Sequence, residues 1–327
     1  MNSERIHCIS LPTPFAVGDV NVYLIESEKL TLVDTGPKTD EAWASLKRQI
    51  DALGFQVSDI EQVVLTHHHP DHVGLSDYFT EHSVRFITMA YNLPWLKKDP
   101  AFFEHHDAFY LTVYREMGIE KFHKKAMETV RGYLDYSCTI DVDVVVEEGD
   151  AIDGLPGWTV VETLGHAQGH LSLLRDTDGV MIGGDHLIKH ISSNALIEPP
   201  PIGETERPKT LLQYRDSLMK VIDRNVIKVY AGHGKPVEHP KELVHLRLLK
   251  QEERADDILK MISQEALTGF EICQKLFPTI FLKELGLTMS ETLGHLDLLK
   301  RDDRLKVVEK EGVLYFQAKE VAKHECR

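Results

Sequence analysis

Long hydrophobic runs are missing from this sequence: no stretch approaches about 18 apolar residues without a charge, so no membrane-spanning helix is expected. The opening Met1-Asn2-Ser3-Glu4-Arg5-Ile6 lacks the apolar core and cleavage site of a signal peptide, and the chain is read as cytoplasmic and mature as written. Cysteine is scarce. Cys8, Cys138, Cys273 and Cys326 stand far apart without paired spacing, which points to neither a disulfide framework nor a thiolate zinc site. They are read as reduced, mostly buried small hydrophobes. Basic charge is in deficit, with 37 Lys and Arg against 52 Asp and Glu and a net charge of -15. The imbalance sits in residues 1–240, at 22 basic against 36 acidic, while residues 241–327 are nearly neutral at 15 against 16. Nucleic acid is held mainly by neutralising phosphates, so this field works against a general nucleic-acid binder, although a local basic groove stays open.

The length of 327 residues, 42% of them hydrophobic, allows one large domain and a small one. Short β-rich runs at residues 6–11, 21–26, 30–34 and 62–65 alternate with a helical period over 41–53. Residues 90–136 are dense in helix formers and aromatics, including Tyr91, Trp95, Phe102, Phe103, Phe109 and Tyr110, and read as a helical insertion. Strand-like runs resume at 142–146, 158–162, 171–175, 180–182 and 227–230. The proline-rich segment 192–209 is a loop by composition. From residue 241 onward the pattern predicts a long helix to about 263, shorter helices at 269–276 and 290–301, and strands at 305–308 and 313–316 joined by Glu309-Lys310-Glu311-Gly312. Helices followed by a hairpin suggest a small winged-helix-like domain.

The chemistry is concentrated in Thr66-His67-His68-His69-Pro70-Asp71-His72-Val73-Gly74, which directly follows an apolar strand. Residues two apart in extended chain point the same way, so His67 and His69 can reach one ion. Pro70 suits the first position of a helix, placing Asp71 and His72 in its opening turn towards a second ion. Imidazole and carboxylate are donors expected of zinc. Three further segments, ending in Gly165-His166, Gly183-Gly184-Asp185 and Gly232-His233, each follow a strand-like run and set a candidate ligand beside glycine.

This pattern resembles that of the metallo-β-lactamase superfamily. Its His-x-His-x-Asp-His signature is matched by His67, His69, Asp71 and His72, and its later ligands by His166, Asp185 and His233, in order, across residues 1–240. Val33-Asp34-Thr35-Gly36 matches the early strand-end aspartate that in relatives supports the site without binding metal. The resemblance implies a four-layer αβ/βα sandwich over residues 1–240, with a helical insertion at about 90–136 and the winged-helix-like domain at 241–327. It implies two divalent metal ions, zinc first, with manganese or iron(II) as alternatives. His67, His69 and His166 would hold one ion, Asp71, His72 and His233 the other, with Asp185 between them and Asp71 also relaying a proton. Relatives with a redox di-iron centre typically carry glutamate at the position of His69, and true β-lactamases usually lack the Asp185 bridge. The set here is similar to that of glyoxalase II, lactonases and the phosphodiesterase and ribonuclease branches, so hydrolysis is implied.

Among the remaining histidines, His68 is read as a non-ligand and His170 as a packing or supporting residue. His190 and Asn194 are candidates to face the substrate, His190 being read equally well as structural. The aromatic insertion is expected to roof the pocket, with Trp95 and Phe109 contacting an apolar acyl chain. The helix at 290–301 mixes acids with its bases, so packing or dimerisation is expected of the C-terminal part rather than phosphate binding. The leading function is hydrolysis of a small-molecule acyl substrate, a thioester, ester or lactone, with no membrane partner and a homodimer left open. The alternatives are phosphodiester or RNA cleavage, as in the β-lactamase-like protein 2 group with its comparable appendage, and a non-catalytic winged-helix regulator.

Overall fold

The computed structural model describes residues 4–319; Cys326 and the other terminal residues lie outside them. Strands β1 (Arg5–Leu11), β2 (Val20–Glu26) and β3 (Thr31–Val33) form an antiparallel meander. Helix α1 (Asp40–Ala52) follows, with the Thr39 side chain accepting from the Ala42 N–H at its start and Ala42, Leu46 and Ile50 on its buried face. It crosses to β4 (Gln62–Val64), parallel to β3, and Pro70 opens the single-turn helix α2 (Pro70–Val73) as the sequence predicts. The short strand β5 (Arg85–Thr88), not anticipated above, extends the sheet.

The insertion is helical, with α3 (Leu93–Leu96), α4 (Pro100–Glu116) and α5 (His123–Tyr133). The edge strand β6 (Val144–Val145) then completes a six-stranded sheet in sequence order. A second sheet is built from β7 (Trp158–Glu162), β8 (Leu171–Arg175), β9 (Val180–Gly184) and, after α6 (Thr210–Asp223), β10 (Lys228–Ala231), in the order β10-β9-β8-β7. Strand periodicity of two sorts the side chains into layers. Tyr23, Ile25, Val33, Val64 and Ile87 meet Val160, Leu171, Leu173 and Ile182 between the sheets. The alternate residues Val22, Leu24, Leu32, Val63 and Phe86 pack on α1, while Val161, Leu174, Met181 and Val229 pack under α6. This is the expected αβ/βα arrangement.

After β10 come α7 (Pro240–Met261), β11 (Leu267–Thr268), α8 (Gly269–Leu276), α9 (Leu285–Arg301) and the hairpin β12 (Leu305–Lys310) and β13 (Val313–Ala318). The hairpin turn is only Glu311-Gly312, both with positive φ (53° and 78°), the two-residue connection whose twist suits a hairpin. α9 begins five residues before Ser290, the start expected from sequence. The reason is that the Ser290 hydroxyl donates back to the Gly286 carbonyl at 2.7 Å, inside the helix, instead of capping an N-terminus. Nearly every residue of α9 from Thr288 to Leu299 is buried. Its Leu293, Leu296 and Leu299 join Leu211, Tyr214 and Leu218 of α6 and Val244, Ala255 and Ile258 of α7 in one continuous apolar cluster. Cys138 and Cys273 are buried, whereas Cys8 is exposed, and all three are free thiols. No helix among the described residues is long and apolar enough to cross a membrane.

Candidate metal centre

The seven residues singled out in the sequence converge where both sheets end. His67 and His69 lie on the turn after β4, Asp71 and His72 in α2, His166 after β7, Asp185 after β9 and His233 after β10. His67 Nε2 and His166 Nε2 stand 2.9 and 3.1 Å from His69 Nδ1. On the other side His233 Nε2 lies 3.3 Å from Asp71 Oδ2, and His72 Nε2 lies 3.3 Å from Asp185 Oδ1. Asp185 Oδ2 faces both groups, 3.7 Å from His166 Nε2 and 3.5 Å from His233 Nε2. The donors thus form one trio of His67, His69 and His166 and another of Asp71, His72 and His233, with Asp185 between them.

Hydrogen bonds on the outer side fix which nitrogen points inward. His166 Nδ1–H donates to the Asn194 carbonyl at 2.9 Å, and His233 Nδ1–H to the Asp19 carbonyl at 2.8 Å. His72 Nδ1–H donates to Asp34 Oδ2 at 2.8 Å. These oxygens only accept, so in the neutral ring each Nε2 keeps its lone pair. The Thr66 hydroxyl donates to Asp34 Oδ2 and therefore accepts from His67 Nδ1–H at 3.0 Å. Lone pairs turned inward, with N–H groups anchored outside, are how imidazoles are set to hold a metal. The inner atoms His72 Nε2, His233 Nε2 and Asp185 Oδ1 are buried without a hydrogen-bond partner, a costly condition that a cation would relieve. The donor set therefore fits divalent metal.

The electrostatics agree. Burial and the neighbouring imidazoles hold His67 and His69 well below the ordinary histidine value, so they are neutral donors. Burial would also lower His233, but Asp185 and Asp71 outweigh it and push the ring up to about 10. Burial would raise Asp185, yet His233 and His72 hold it well below the usual carboxylate range. The carboxylates draw positive charge into the cluster, by proton where no metal stands.

Backbone geometry supports these placements. A Cβ on Gly232 would lie 2.3 Å from Asp185 Oδ1 and 2.8 Å from His72 Cε1. Gly184 turns the chain into Asp185 at φ +47°, where a side chain would crowd Thr66 and His170. Asp34 adopts φ 62° without being glycine. Its carboxylate overdetermines that conformation by accepting from Thr66 N–H, the Thr66 hydroxyl and His72.

The other candidates separate. His170 stands outside the cluster, its Nε2 accepting from the Asp185 backbone N–H at 3.1 Å and its Nδ1–H donating to Thr163 Oγ1 at 2.7 Å. Asn194 serves His166 through its backbone carbonyl. His190 is exposed and lies against Gly234, beside a depression bordered by Asp19 and Asn21. His67, His72 and His233 are sealed, whereas His69 is half-buried and Asp71, His166 and Asp185 keep slight exposure, so the centre opens on their side. Trp95 is largely buried with Phe102 and Phe103 and stacks on His68 at 4.2 Å between ring centroids. Phe109 packs on the cluster shared by α6 to α9. Aromatics at helical spacing have here built a core. Asn92, Thr66 and Glu198, all buried at the centre, were not singled out in the sequence; a lone acid in the apolar run Ile197-Glu198-Pro199-Pro200-Pro201 was the available signal.

The sequence profile described as Metallo-beta-lactamase superfamily matches residues 16–233. The chain belongs to this superfamily. It is similar to "Probable metallo-hydrolase YqjP" of Bacillus subtilis (strain 168), with 40% identity over 317 residues, 97% of this chain and 99% of that one. A "Beta-lactamase-like protein 2 homolog" of Caenorhabditis elegans is 26% identical over 81% of this chain and 73% of its own length. The crystal structure of a metallo-beta-lactamase family protein from Thermus thermophilus superposes with a TM-score of 0.80 at 23% identity, covering 96% of this chain and 98% of that one, which shows the fold. As a superfamily member in which side chains that could hold metal are assembled, the chain is a metal-dependent hydrolase.

Proposed function

We propose that this superfamily member is a dinuclear zinc hydrolase of a small acyl substrate, a thioester, ester or lactone. The observation that carries the reading is the double trio of inward-facing donors joined through Asp185. His67, His69 and His166 would hold the first ion, and Asp71, His72 and His233 the second; Asp185 would bridge them in the manner of the glyoxalase II set. Bound metal of this kind supplies a water of lowered pKa and polarises the scissile carbonyl. The chain's own contribution is positional. Asp34, the Asp19 carbonyl and the Asn194 carbonyl hold three imidazoles in the required tautomer. Asp71, which keeps some exposure, would take up a proton on the carboxylate oxygen turned away from His233.

The elements from α7 to β13 are read as a winged-helix-like unit that packs and does not read nucleic acid. Burial of α9 nearly all round supports this, since a recognition helix needs a free face, and the acidic chain adds an unfavourable field. The decisive test is a screen of metal-free and zinc-loaded protein over thioesters, lactones and bis-p-nitrophenyl phosphate, with about two zinc ions per chain expected by elemental analysis. Asp185→Asn should lose both the second equivalent of metal and turnover by orders of magnitude, because the two cations lose their shared anion. Zinc-dependent cleavage confined to phosphodiesters or single-stranded RNA would overturn the acyl reading. A consistent single zinc per chain would overturn the dinuclear one.

A further inference from the structure

Glu198 lies in the loop leading to α6, followed by Pro199, Pro200 and Pro201, and its side chain is buried beside the metal centre. Its Oε2 accepts from the Gln168 backbone N–H at 2.7 Å, and its Oε1 lies 3.3 Å from His68 Nε2. Gln168 stands two residues beyond His166, and His68 stands between His67 and His69. One carboxyl group therefore spans the two turns that carry the first trio.

The hydrogen donors around this contact can be assigned. Asn92 touches the Gly169 carbonyl at 2.8 Å and Thr88 Oγ1 at 2.8 Å with one amide atom. A carbonyl only accepts, so that atom is the nitrogen, and the amide oxygen must be the atom facing His68 Nδ1 at 3.3 Å. His68 thus carries a proton on Nδ1 and turns Nε2 towards Glu198. Stacking on Trp95, at an interplanar angle of 10°, holds the ring in this orientation. A single proton between His68 Nε2 and Glu198 Oε1 joins the two side chains.

We propose that Glu198 is a positioning residue which fastens the turn bearing His67 and His69 to the turn bearing His166. The same loop supplies the Asn194 carbonyl that orients His166, so both contacts act on the first trio from one side. Backbone carbonyls of this loop are in turn held by the insertion: the Tyr91 hydroxyl donates to the Pro199 carbonyl and His105 Nε2–H to the Pro200 carbonyl. The inference rests on the metal set proposed above and adds to it a residue outside both trios.

The test compares Glu198→Gln with Glu198→Ala in the full chain. A carboxamide keeps an acceptor for the Gln168 N–H and a polar atom of the same reach facing His68 Nε2, so it preserves the span between the two turns. Competition with a zinc-chelating dye should find first-equivalent affinity within about threefold of native for Glu198→Gln and weakened about 10–100-fold for Glu198→Ala, the usual effect of losing such a support. If Glu198→Ala does not fold, Glu198→Leu, which keeps the bulk and loses both hydrogen bonds, takes its place. Loss in Glu198→Gln equal to that in Glu198→Ala overturns the proposal, as does native zinc affinity in Glu198→Ala. A third zinc equivalent that both variants lose would make Glu198 a ligand instead and also overturns it. Native protein that binds no zinc would instead sink the proposed metal set itself.

Discussion

The reach of a single side chain is clearest at Asp34. Its carboxylate is the acceptor for His72 and, through the Thr66 hydroxyl, the support for His67, so it steadies one imidazole of each trio. It does so from a left-handed backbone conformation that glycine would adopt more easily. Asp34→Ala is therefore expected to weaken zinc binding about 10–100-fold by chelator competition. Asp34→Gly relieves the backbone but loses the same carboxylate and should be equally weak; recovery in the glycine variant would show that conformation, not the carboxylate, matters at this position. Asp34 was legible beforehand because it sits at a strand end in a Val-Asp-Thr-Gly pattern. Asn92 and Glu198 were not, because their importance lies in which atoms of distant turns they touch.

At the level of elements, the insertion acts from within the wall of the centre. Trp95 of α3 closes a small aromatic core with Phe102 and Phe103 and presses on His68. Trp95→Ala should cost about 3–5 kcal/mol, the range for emptying a buried aromatic site, read as a shift in the urea midpoint. The ratio of Michaelis constants for long and short acyl chains should change little, since the ring's contacts are with Phe102, Phe103 and His68. A large change in that ratio without loss of stability would restore the lid role expected from sequence. The helical character of residues 90–136 was plain from composition; the direction in which its aromatics face was not, because helical spacing is the same for a core and for a roof. α6 went unnoticed in the sequence although Leu211, Tyr214, Leu218 and Val221 mark its buried face.

Across the whole molecule, the apolar cluster on the outer face of the second sheet runs without a break through α6, α7 and α9. Arg207 Nη2 adds a 2.8 Å ion pair with the largely buried Asp297 of α9, joining the proline-rich loop to the same body. A chain ending at residue 240 would expose Leu211, Tyr214 and Leu218 together, at roughly 1.5–3 kcal/mol for each large side chain uncovered. Such a truncated protein should aggregate or bind a hydrophobic dye, and the full chain should unfold in one transition by calorimetry. A soluble truncation with native zinc content would show that the C-terminal elements are dispensable for the centre.

The candidate donors, their order along the chain and most of the strands that carry them were legible in the sequence, since donor chemistry and a periodicity of two are local properties. So were the acidic balance and the hairpin near the C-terminus. Which imidazole nitrogen faces inward is a tertiary matter, because it depends on acceptors as remote as Asp19 for His233 and Asn194 for His166. The same holds for the burial of α9, the inward packing of Trp95 and the bond between Glu198 and His68. Each is settled by contacts between segments far apart in the chain, where hydrogen bonds must be satisfied and apolar surface removed from water at once.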